Sequence, residues 1–253
     1  METTNDLKLA VLIDADNVSY SYVKEMFEEI AKYGTPTFKR IYADWTKPTV
    51  SGWKNVLLEN AITPIQQYSY STGKNSTDSS LIIDAMDILY TGKVDGFCIV
   101  SSDSDFTRLA TRLREAGMKV IGIGEKKTLN PFITACDKFI YIEILKPQTE
   151  SRETAGGDRS AKKQGQQGKK TLSKIDPKII KLFADSITDL ADENGWAFLG
   201  ELGNLILKKK PDFDPRNYGY AKMLQLIRSM NKFRIDERAT SNVNVKHIYI
   251  KLK

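Results

Sequence analysis

The sequence predicts an α/β protein with a Rossmann-like parallel sheet and helices on both faces, followed by a small C-terminal winged-helix domain. Three observations predict this architecture. Short apolar runs that resemble buried strands alternate with helical patterns up to residue 145. A polar stretch without large apolar residues before Leu172 follows, and three helical patterns with two strand-like stretches come after residue 175.

The first domain, residues 1–148, is expected to contain six strands and four helices. The strands are predicted over residues 7–13, 37–45, 63–68, 96–102, 119–124 and 138–145. The helices are predicted over residues 21–34, 51–61, 76–92 and 105–117, with a helical turn near Pro131. Glycines at the ends of two of these patterns, Gly34 and Gly92, are typical helix stops, and Ser76 or Thr77 is a suitable N-cap.

Residues 149–174 have the composition of a flexible basic linker, because Gly, Gln, Lys and Ser dominate the segment. The second domain, residues 175–253, follows it. Helices are predicted there over residues 176–195, 199–210 and 214–230, and strands over 233–237 and 243–252. Leucine and isoleucine repeat at helical spacing in the second and third helix, which predicts that these positions form a core.

Composition limits the classes of function. The chain of 253 residues has 2 cysteines and 1 histidine, so a disulfide framework, a zinc site and a histidine-based nucleophile system are all improbable. No apolar run approaches the roughly 20 residues that a membrane span needs. The N-terminal apolar stretch runs directly into carboxylates, which fits a core strand better than a signal peptide. We therefore expect a cytoplasmic protein without a membrane partner, whose chemistry would come from carboxylates, lysines and hydroxyls.

The net charge of +6 is distributed unevenly along the chain. Residues 1–150 hold 17 Lys+Arg against 20 Asp+Glu, residues 151–174 hold 7 against 2, and residues 175–253 hold 14 against 10. An acidic first part followed by a basic second part suggests a cation-binding domain joined to a polyanion-binding domain. An ordinary protein with a basic linker would show the same balance.

Carboxylates follow two of the predicted strands. Asp14, Asp16 and Asn17 come after the first strand, and Asp103 and Asp105 come after the strand at 96–102. In an open parallel sheet the carboxyl ends of all strands lie on one edge, where ligands bind near the switch in strand order. Asp78, in the first turn of the helix at 76–92, adds a further carboxylate.

Carboxylates that are crowded within a few ångströms repel one another unless a cation compensates their charge. Mg²⁺ and Mn²⁺ prefer oxygen ligands, and such a metal can activate a water and stabilise charge on a phosphate. We predict a site for either ion at Asp14, Asp78, Asp103 and Asp105. Asn17 could position a water or a phosphate oxygen, and Lys74, beside Asn75 in a polar loop, could offset phosphate charge.

Each of these residues also has a purely structural interpretation. An Asp or Asn after a strand is often a turn residue or a helix cap, and Asp105 could simply cap the helix at 105–117. Asp16 is expected to face away from Asp14 if the backbone there is still extended. Asp84 and Asp87, further along the helix at 76–92, are expected to face solvent or a neighbouring chain.

The first domain resembles the NYN family, the PIN-like nucleases of the LabA/DUF88 group. The resemblance rests on "LIDADN", "GKNSTDSSLIIDAMDIL" and "FCIVSSDSDFTRLATRLREAG", in the family's order, over about residues 7 to 145. It implies a PIN-like sheet, Mg²⁺ or Mn²⁺ bound by the aspartates, and hydrolysis of RNA. The metal-binding acids of the family correspond to Asp14, Asp78, Asp103 and Asp105, and the asparagine of its first motif to Asn17.

A competing interpretation is a phosphatase of the haloacid-dehalogenase type, since "DADNV" fits the opening motif of that class, in which the first Asp is a nucleophile. That fold normally inserts a flap or hairpin directly after the motif, whereas here a helix is predicted from about Ser21. It also needs a lysine late in the chain near an acidic pair.

The second domain resembles an OST-HTH/LOTUS domain, most specifically in "PDFDPRNYGYAKMLQLI". The resemblance implies a winged helix that binds RNA or proteins of RNA metabolism. Tyr218 and Tyr220 either pack in the core or stack on bases, and Trp196 is expected to be a core anchor. Cations of this domain form either solvated helix ends or a face that contacts phosphates; they are Lys208, Lys209, Lys210, Arg216, Lys222 and Arg228.

Together these patterns predict a metal-dependent ribonuclease that cleaves RNA phosphodiesters with a metal-activated water and without a covalent intermediate. Its winged helix would recruit RNA, single-stranded or structured, or a protein partner. A non-catalytic RNA-binding regulator is the alternative, and the sequence leaves open whether the chain forms a homo-oligomer.

Overall fold

We describe a computed structural model of the chain, over residues 6–68, 76–145, 175–239 and 246–253. The chain divides into two compact units, one built mainly from residues 1–145 and the other from most of residues 146–253. Each unit is described by itself. None of the helices in the described residues is both long and apolar enough to cross a membrane.

The first unit is built around a six-stranded sheet in which every neighbouring pair is parallel. The strand order is β3-β2-β1-β4-β5-β6. The strands are β1 (Lys8–Asp14), β2 (Thr35–Ala43), β3 (Thr63–Gln66), β4 (Gly96–Val100), β5 (Lys119–Gly124) and β6 (Lys138–Tyr141). The order reverses between β1 and β4, so the chain leaves these two neighbouring strands in opposite directions and opens a crevice at their carboxyl ends.

Helices cover both faces of this sheet. They are α1 (Val23–Ile30), α2 (Trp53–Asn60), α3 (Ser76–Thr91), α4 (Thr107–Glu115) and α5 (Asn130–Ala135). Side chains of α1 and α2 pack in one core, and those of α3, α4 and α5 pack in the other. Strand β1 serves both cores because successive side chains of a strand point to opposite faces: Val11 packs in the first core and Leu12 in the second.

The second unit has the winged-helix order of helices and strands that the sequence predicts. Its elements are α6 (Pro177–Leu190), β7 (Ala197–Phe198), α7 (Leu199–Lys209), α8 (Met223–Met230), β8 (Phe233–Ala239) and β9 (Lys246–Leu252). The strands form an antiparallel sheet in the order β7-β9-β8. Phe183, Leu202, Ile206, Leu226 and Ile250 are buried in this unit, so the helical spacing of leucine and isoleucine correctly indicated a core.

Local differences from the predicted elements have identifiable causes. The strand predicted over 138–145 ends at Tyr141, and a 3-10 helix over Ile142–Ile144 follows. The helix predicted over 214–230 is divided into a 3-10 helix over Pro215–Tyr218 and α8, because Gly219 adopts a left-handed conformation with φ of 85°. The two-residue strand β7 was not predicted, since it is too short to show a periodic pattern.

The expectation that Asp84 faces solvent or a neighbouring chain is wrong. Its carboxylate accepts hydrogen bonds from the guanidinium of Arg40 and the hydroxyl of Tyr42, both on β2. The ring of Tyr42 is fully buried, and burial together with the carboxylate of Asp84 raises the pKa of its hydroxyl. Asp87 is exposed, as expected. The Asp84 network therefore fastens α3 to the sheet.

Replacing Asp84 by Ala is expected to lower the free energy of unfolding by about 1–3 kcal/mol, because the buried hydroxyl of Tyr42 would lose its acceptor. Urea denaturation measures the change. Asp87→Ala on the exposed side of the same helix is the control, and it should change stability by less than about 0.5 kcal/mol. Equal effects of the two substitutions would contradict a stabilising network at Asp84.

Candidate metal centre

Three carboxylates meet at the carboxyl edge of the first sheet. Asp78 in the first turn of α3 and Asp103 and Asp105 after β4 each offer an oxygen, and these three oxygens all lie within 4.8 Å of one another. Asp78 and Asp103 are partly buried and Asp105 is exposed. Three of the four acids that the sequence predicts at a metal site are therefore brought together, and we call them the carboxylate cluster.

The segment after β4 holds two members of the cluster in a fixed turn. Asp103 has extended backbone angles and caps the 3-10 helix Ser104–Phe106, its Oδ1 accepting a hydrogen bond from the backbone nitrogen of Asp105 at 2.9 Å. The capping residue is thus Asp103 and not Asp105, contrary to the structural alternative considered for Asp105. Both carboxylates lie at the start of a helical segment that continues into α4, where the backbone dipoles favour negative charge.

Asp14 lies beside the cluster but is not one of the three grouped carboxylates. Its side chain is only 1% exposed. Oδ2 accepts hydrogen bonds from Nδ2 of Asn17 at 2.7 Å and Oγ of Ser101 at 2.8 Å, and Oδ1 accepts one from the backbone nitrogen of Asp16 at 3.1 Å. Burial raises the pKa of Asp14, and these three donors partly oppose that rise.

Ser101 links Asp14 to the cluster, and the sequence interpretation did not identify it as a site residue. The serine is fully buried. Its hydroxyl donates to Asp14 and accepts a hydrogen bond from the backbone nitrogen of Asp103 at 3.0 Å. The ends of β1 and β4 are joined in this way across the point where the strand order reverses. A hydroxyl two residues before Asp103, directly after an apolar strand, was the available signal.

Burial is the largest cause that raises the pKa of Asp78 to about 6 from an ordinary value of 3.8. Repulsion from Asp14, Asp103, Asp105 and Asp16 adds to the rise. The interaction with Asp14 shows that the buried aspartate contributes to the electrostatic field of the cluster. A bound cation would reverse these effects, since it stabilises the ionised form of each carboxylate.

The residues present fit a hard divalent cation. The cluster supplies only oxygen donors, two of them on a fixed turn and one on a long helix. Mg²⁺ and Mn²⁺ prefer oxygen ligands and keep several waters, so three carboxylates at an accessible edge are a suitable donor set. Cys98 and Cys136 are not metal donors at this edge of the sheet, because both are free and buried within the cores.

Other residues of the predicted site fall in different places. Asn17 donates its side-chain amide to Asp14 and so orients that carboxylate. Asp16 is exposed and its backbone nitrogen contacts Asp14. Lys74 and Asn75, predicted to contact phosphate, lie outside the described residues.

Several cations predicted to contact RNA in the second unit are paired with carboxylates. Arg216 binds Asp214 through two side-chain hydrogen bonds, at 3.0 Å from Nε to Oδ1 and 2.7 Å from Nη2 to Oδ2. Arg228 contacts Glu237 at 2.8 Å. Lys210 likewise forms an ion pair with a carboxylate. Lys208, Lys209 and Lys222 lie at the surface, and Tyr218 is partly buried.

Comparison with protein families matches residues 8–143 to the NYN domain. The chain belongs to the NYN family. A second match, over residues 170–245, assigns an OST-HTH/LOTUS domain, so both suspected families are confirmed. A search of curated proteins finds no match to the NYN chain.

Solved structures give two further similarities to the NYN chain. A crystal structure of a protein of unknown function from Vibrio parahaemolyticus shares 22% identity with a TM-score of 0.48, covering 56% of this chain and 96% of that chain. A solution structure of an uncharacterised protein from Nitrosomonas europaea shares 27% identity with a TM-score of 0.29, covering 40% of this chain and 90% of that chain.

Replacing Asp78 by Asn is expected to stabilise the metal-free NYN protein at neutral pH. Because folding raises the pKa of Asp78 from 3.8 to about 6, the folded state binds a proton more tightly, and the free energy of unfolding falls as pH rises through this interval. The gain from Asp78→Asn at pH 7.5 should be roughly 1 kcal/mol, less than the pKa shift alone would give, since the side chain is only partly buried.

Urea denaturation in EDTA at pH 4.5 and pH 7.5 measures this difference. We expect the stabilisation by Asp78→Asn to shrink strongly at the lower pH, where Asp78 of the wild type is protonated. Asp87→Asn, an exposed substitution on the same helix, should show no such pH dependence. A variant that is less stable than the wild type at pH 7.5 would contradict the repulsion within the cluster.

Proposed function

We propose that the NYN unit hydrolyses RNA phosphodiesters with the help of Mg²⁺ or Mn²⁺, and that the OST-HTH/LOTUS unit holds RNA. The observation that carries the proposal is the carboxylate cluster of Asp78, Asp103 and Asp105 at the reversal of strand order. The family match supports it, because NYN domains are generally nucleases. OST-HTH/LOTUS domains bind RNA, which supports RNA as the substrate class.

In this proposal Asp78, Asp103 and Asp105 would hold the cation, with the buried carboxylate of Asp14 close to them. A bound divalent ion supplies Lewis acidity, which lowers the pKa of water and stabilises charge on a phosphate oxygen. The protein itself preorganises the carboxylates of the cluster. The cap at Asp103 and the first turn of α3 fix where these side chains lie before substrate arrives. The net positive charge of the second part of the chain would attract the RNA backbone as a whole.

Asp14 has a positioning role in the same proposal. Its carboxylate is nearly fully buried and accepts three hydrogen bonds, so it is suited to hold Ser101 and thereby the backbone at Asp103. Its negative charge also adds to the field that attracts a cation to the cluster. A carboxylate that is 1% exposed and accepts three hydrogen bonds is poorly suited to act as the nucleophile of a haloacid-dehalogenase-type phosphatase, and a 3-10 helix starts at Tyr20 where that fold inserts a flap.

We also propose a cytoplasmic location. Both cysteines are free and buried, which suits a reducing compartment.

The second unit would recruit the RNA directly or through a protein of RNA metabolism.

Replacing Asp103 by Asn is expected to abolish Mn²⁺-dependent cleavage, with a loss of at least about 100-fold, while RNA binding is retained. The reason is that the variant loses a charged ligand from the cluster and keeps a side-chain oxygen for the helix cap. A labelled RNA incubated with Mn²⁺ or with EDTA measures cleavage, and anisotropy measures binding. Asp87→Asn is the control and should cleave as the wild type does.

Cleavage that persists unchanged in Asp103→Asn would show that the cluster is not the active site. A wild-type protein that binds RNA but never cleaves it, with Mg²⁺ or Mn²⁺, would instead support the non-catalytic regulator. A phosphorylated Asp14 trapped during turnover of a phosphate ester would support the phosphatase.

Replacing Ser101 by Ala is expected to lower the cleavage rate by about 10- to 100-fold without removing the metal ligands, since the link between Asp14 and the backbone of Asp103 would be lost. The change should fall on kcat and not on KM, because the serine is fully buried and cannot contact RNA. Ser101→Thr, which retains the hydroxyl, is the comparison for partial rescue. A pure rise in KM would contradict a positioning role.

A further inference from the structure

The small sheet of the second unit has a face that does not form the core. Ala197 on β7 and Ile250 on β9 are buried and paired with one another, so their neighbours along each strand point to the opposite face. That face carries Trp196, Phe198, Arg238, His247, Tyr249 and Lys251, and we call it the wing face. Arg238 and His247 are exposed and the other four are only partly buried.

Three aromatic side chains of the wing face lie next to one another. Phe198 lies opposite Tyr249 in the strand pairing, and their ring centroids are 5.7 Å apart. The imidazole of His247 lies 5.2 Å from the ring of Phe198. Both pairs of rings are tilted by about 50° and are not stacked face to face. Because Phe198 and Tyr249 are only partly buried and His247 is exposed, part of each ring is accessible to a ligand.

Cations are interleaved with these rings. The guanidinium of Arg238 lies 4.0 Å from the ring centroid of Tyr249 and 5.7 Å from that of Trp196. The ammonium of Lys251 lies 5.9 Å from the ring of Trp196. Arg234, opposite Lys251 in the strand pairing, is exposed and adds a third positive charge. Asp236 on β8 also lies on this face and pairs with Arg238 at 2.9 Å.

The position of Trp196 is fixed by the preceding turn. Oδ1 of Asp192 accepts a hydrogen bond from the backbone nitrogen of Trp196 at 2.9 Å, and the backbone nitrogen of Asp192 donates to the carbonyl of Trp196 at 2.9 Å. Gly195 closes this turn with a left-handed φ of 78°. Gly200 leaves room for the ring of Phe198, since a Cβ there would lie 2.7 Å from it. The turn thus fixes the backbone that carries Trp196, and the absence of a side chain at Gly200 accommodates the ring of Phe198.

We propose that the wing face binds single-stranded RNA, with bases stacking on Trp196, Phe198 and Tyr249 and phosphates contacting Arg234, Arg238 and Lys251. Interleaved aromatic and cationic side chains on an open sheet suit unpaired bases and their backbone, because every base has a face that can stack. The inference rests on the proposed RNA binding by the OST-HTH/LOTUS unit and assigns it to this face. Arg238 is paired with Asp236, just as Arg216 and Arg228 are paired with carboxylates, and it differs from them in lying over the aromatic rings of Trp196 and Tyr249.

The test measures binding of a fluorescein-labelled 12-nucleotide oligouridine by anisotropy. The full-length chain carries Asp103→Asn, and EDTA is present, so the RNA stays intact. Tyr249→Ser is expected to weaken binding by about 5- to 150-fold, the range for one stacked base, whereas Tyr249→Phe should retain most of the affinity. Arg238→Gln should reduce the slope of log affinity against log salt concentration by about 0.7, as expected for one phosphate contact with a single strand.

Matched control substitutions distinguish RNA binding by the wing face from RNA binding by the lysines at the end of α7. Lys208→Gln with Lys209→Gln, at the exposed end of α7, should leave the affinity within about twofold. Urea denaturation verifies that each variant is folded, and Arg238→Gln at an exposed position provides a second test if Tyr249→Ser unfolds the unit.

Each outcome distinguishes the inference from the proposed function on which it rests. Loss of affinity in the lysine variants, with the wing-face variants unchanged, would overturn the wing face and leave RNA binding by the unit intact. Equal affinity of the wild type for a double-stranded RNA of the same length would overturn the preference for single strands. A wild-type chain that binds no RNA would overturn both, and capture of a protein ligand through Tyr249 would replace RNA as the occupant.

Discussion

The pairing of β1 with β4 is the constraint on which the NYN unit depends. These strands are neighbours in the sheet although 87 positions separate Asp14 from Ser101, whose side chains are hydrogen-bonded at 2.8 Å. Because the chain leaves the two strands in opposite directions, a crevice opens at their carboxyl ends. Without this pairing Asp14 would lose the hydrogen bond from Ser101, and the backbone of Asp103 would lose its link to β1. The centre therefore combines a local turn, which holds Asp103 and Asp105, with a topology that brings Asp14 beside them.

Most of this arrangement could be predicted from the sequence, because hydrophobic periodicity and charged residues at the ends of strands are easy to recognise. Apolar strands between helical patterns indicated the sheet, and charged residues directly after β1 and β4 indicated the edge where they meet. Ser101 was missed because a single hydroxyl after a strand has many structural roles, and its value is visible only when Asp14 is placed opposite. Asp84 was misjudged for a related reason: helical spacing gives the direction of a side chain but not the identity of the strand that lies there.

The second unit shows the same limit in another form. Lysine and arginine runs in the sequence suggested a cationic helix face, yet ion pairs engage Arg216 and Arg228 in the folded unit. Trp196 was expected to be a core anchor, but it is only partly buried and lies near two cations. Alternation along β9 determines which aromatic side chains point away from the core. That assignment requires the strand pairing, which a composition-based argument does not provide.

The contacts of Asp84 have a consequence for the geometry of the centre. Asp84 lies six residues after Asp78 on α3, about 240° around the helix axis, so one carboxylate faces the cluster while the other is attached to β2. A helix packed only by apolar side chains can rotate slightly about its own axis, and a rotation of about 10° would displace a side-chain oxygen by about 1 Å, because such an atom lies roughly 5–6 Å from the axis. The hydrogen bonds of Asp84 to Arg40 and Tyr42 fix the rotation of α3 about its own axis. They thereby determine the direction in which the carboxylate of Asp78 points, nearly two turns away on the same helix.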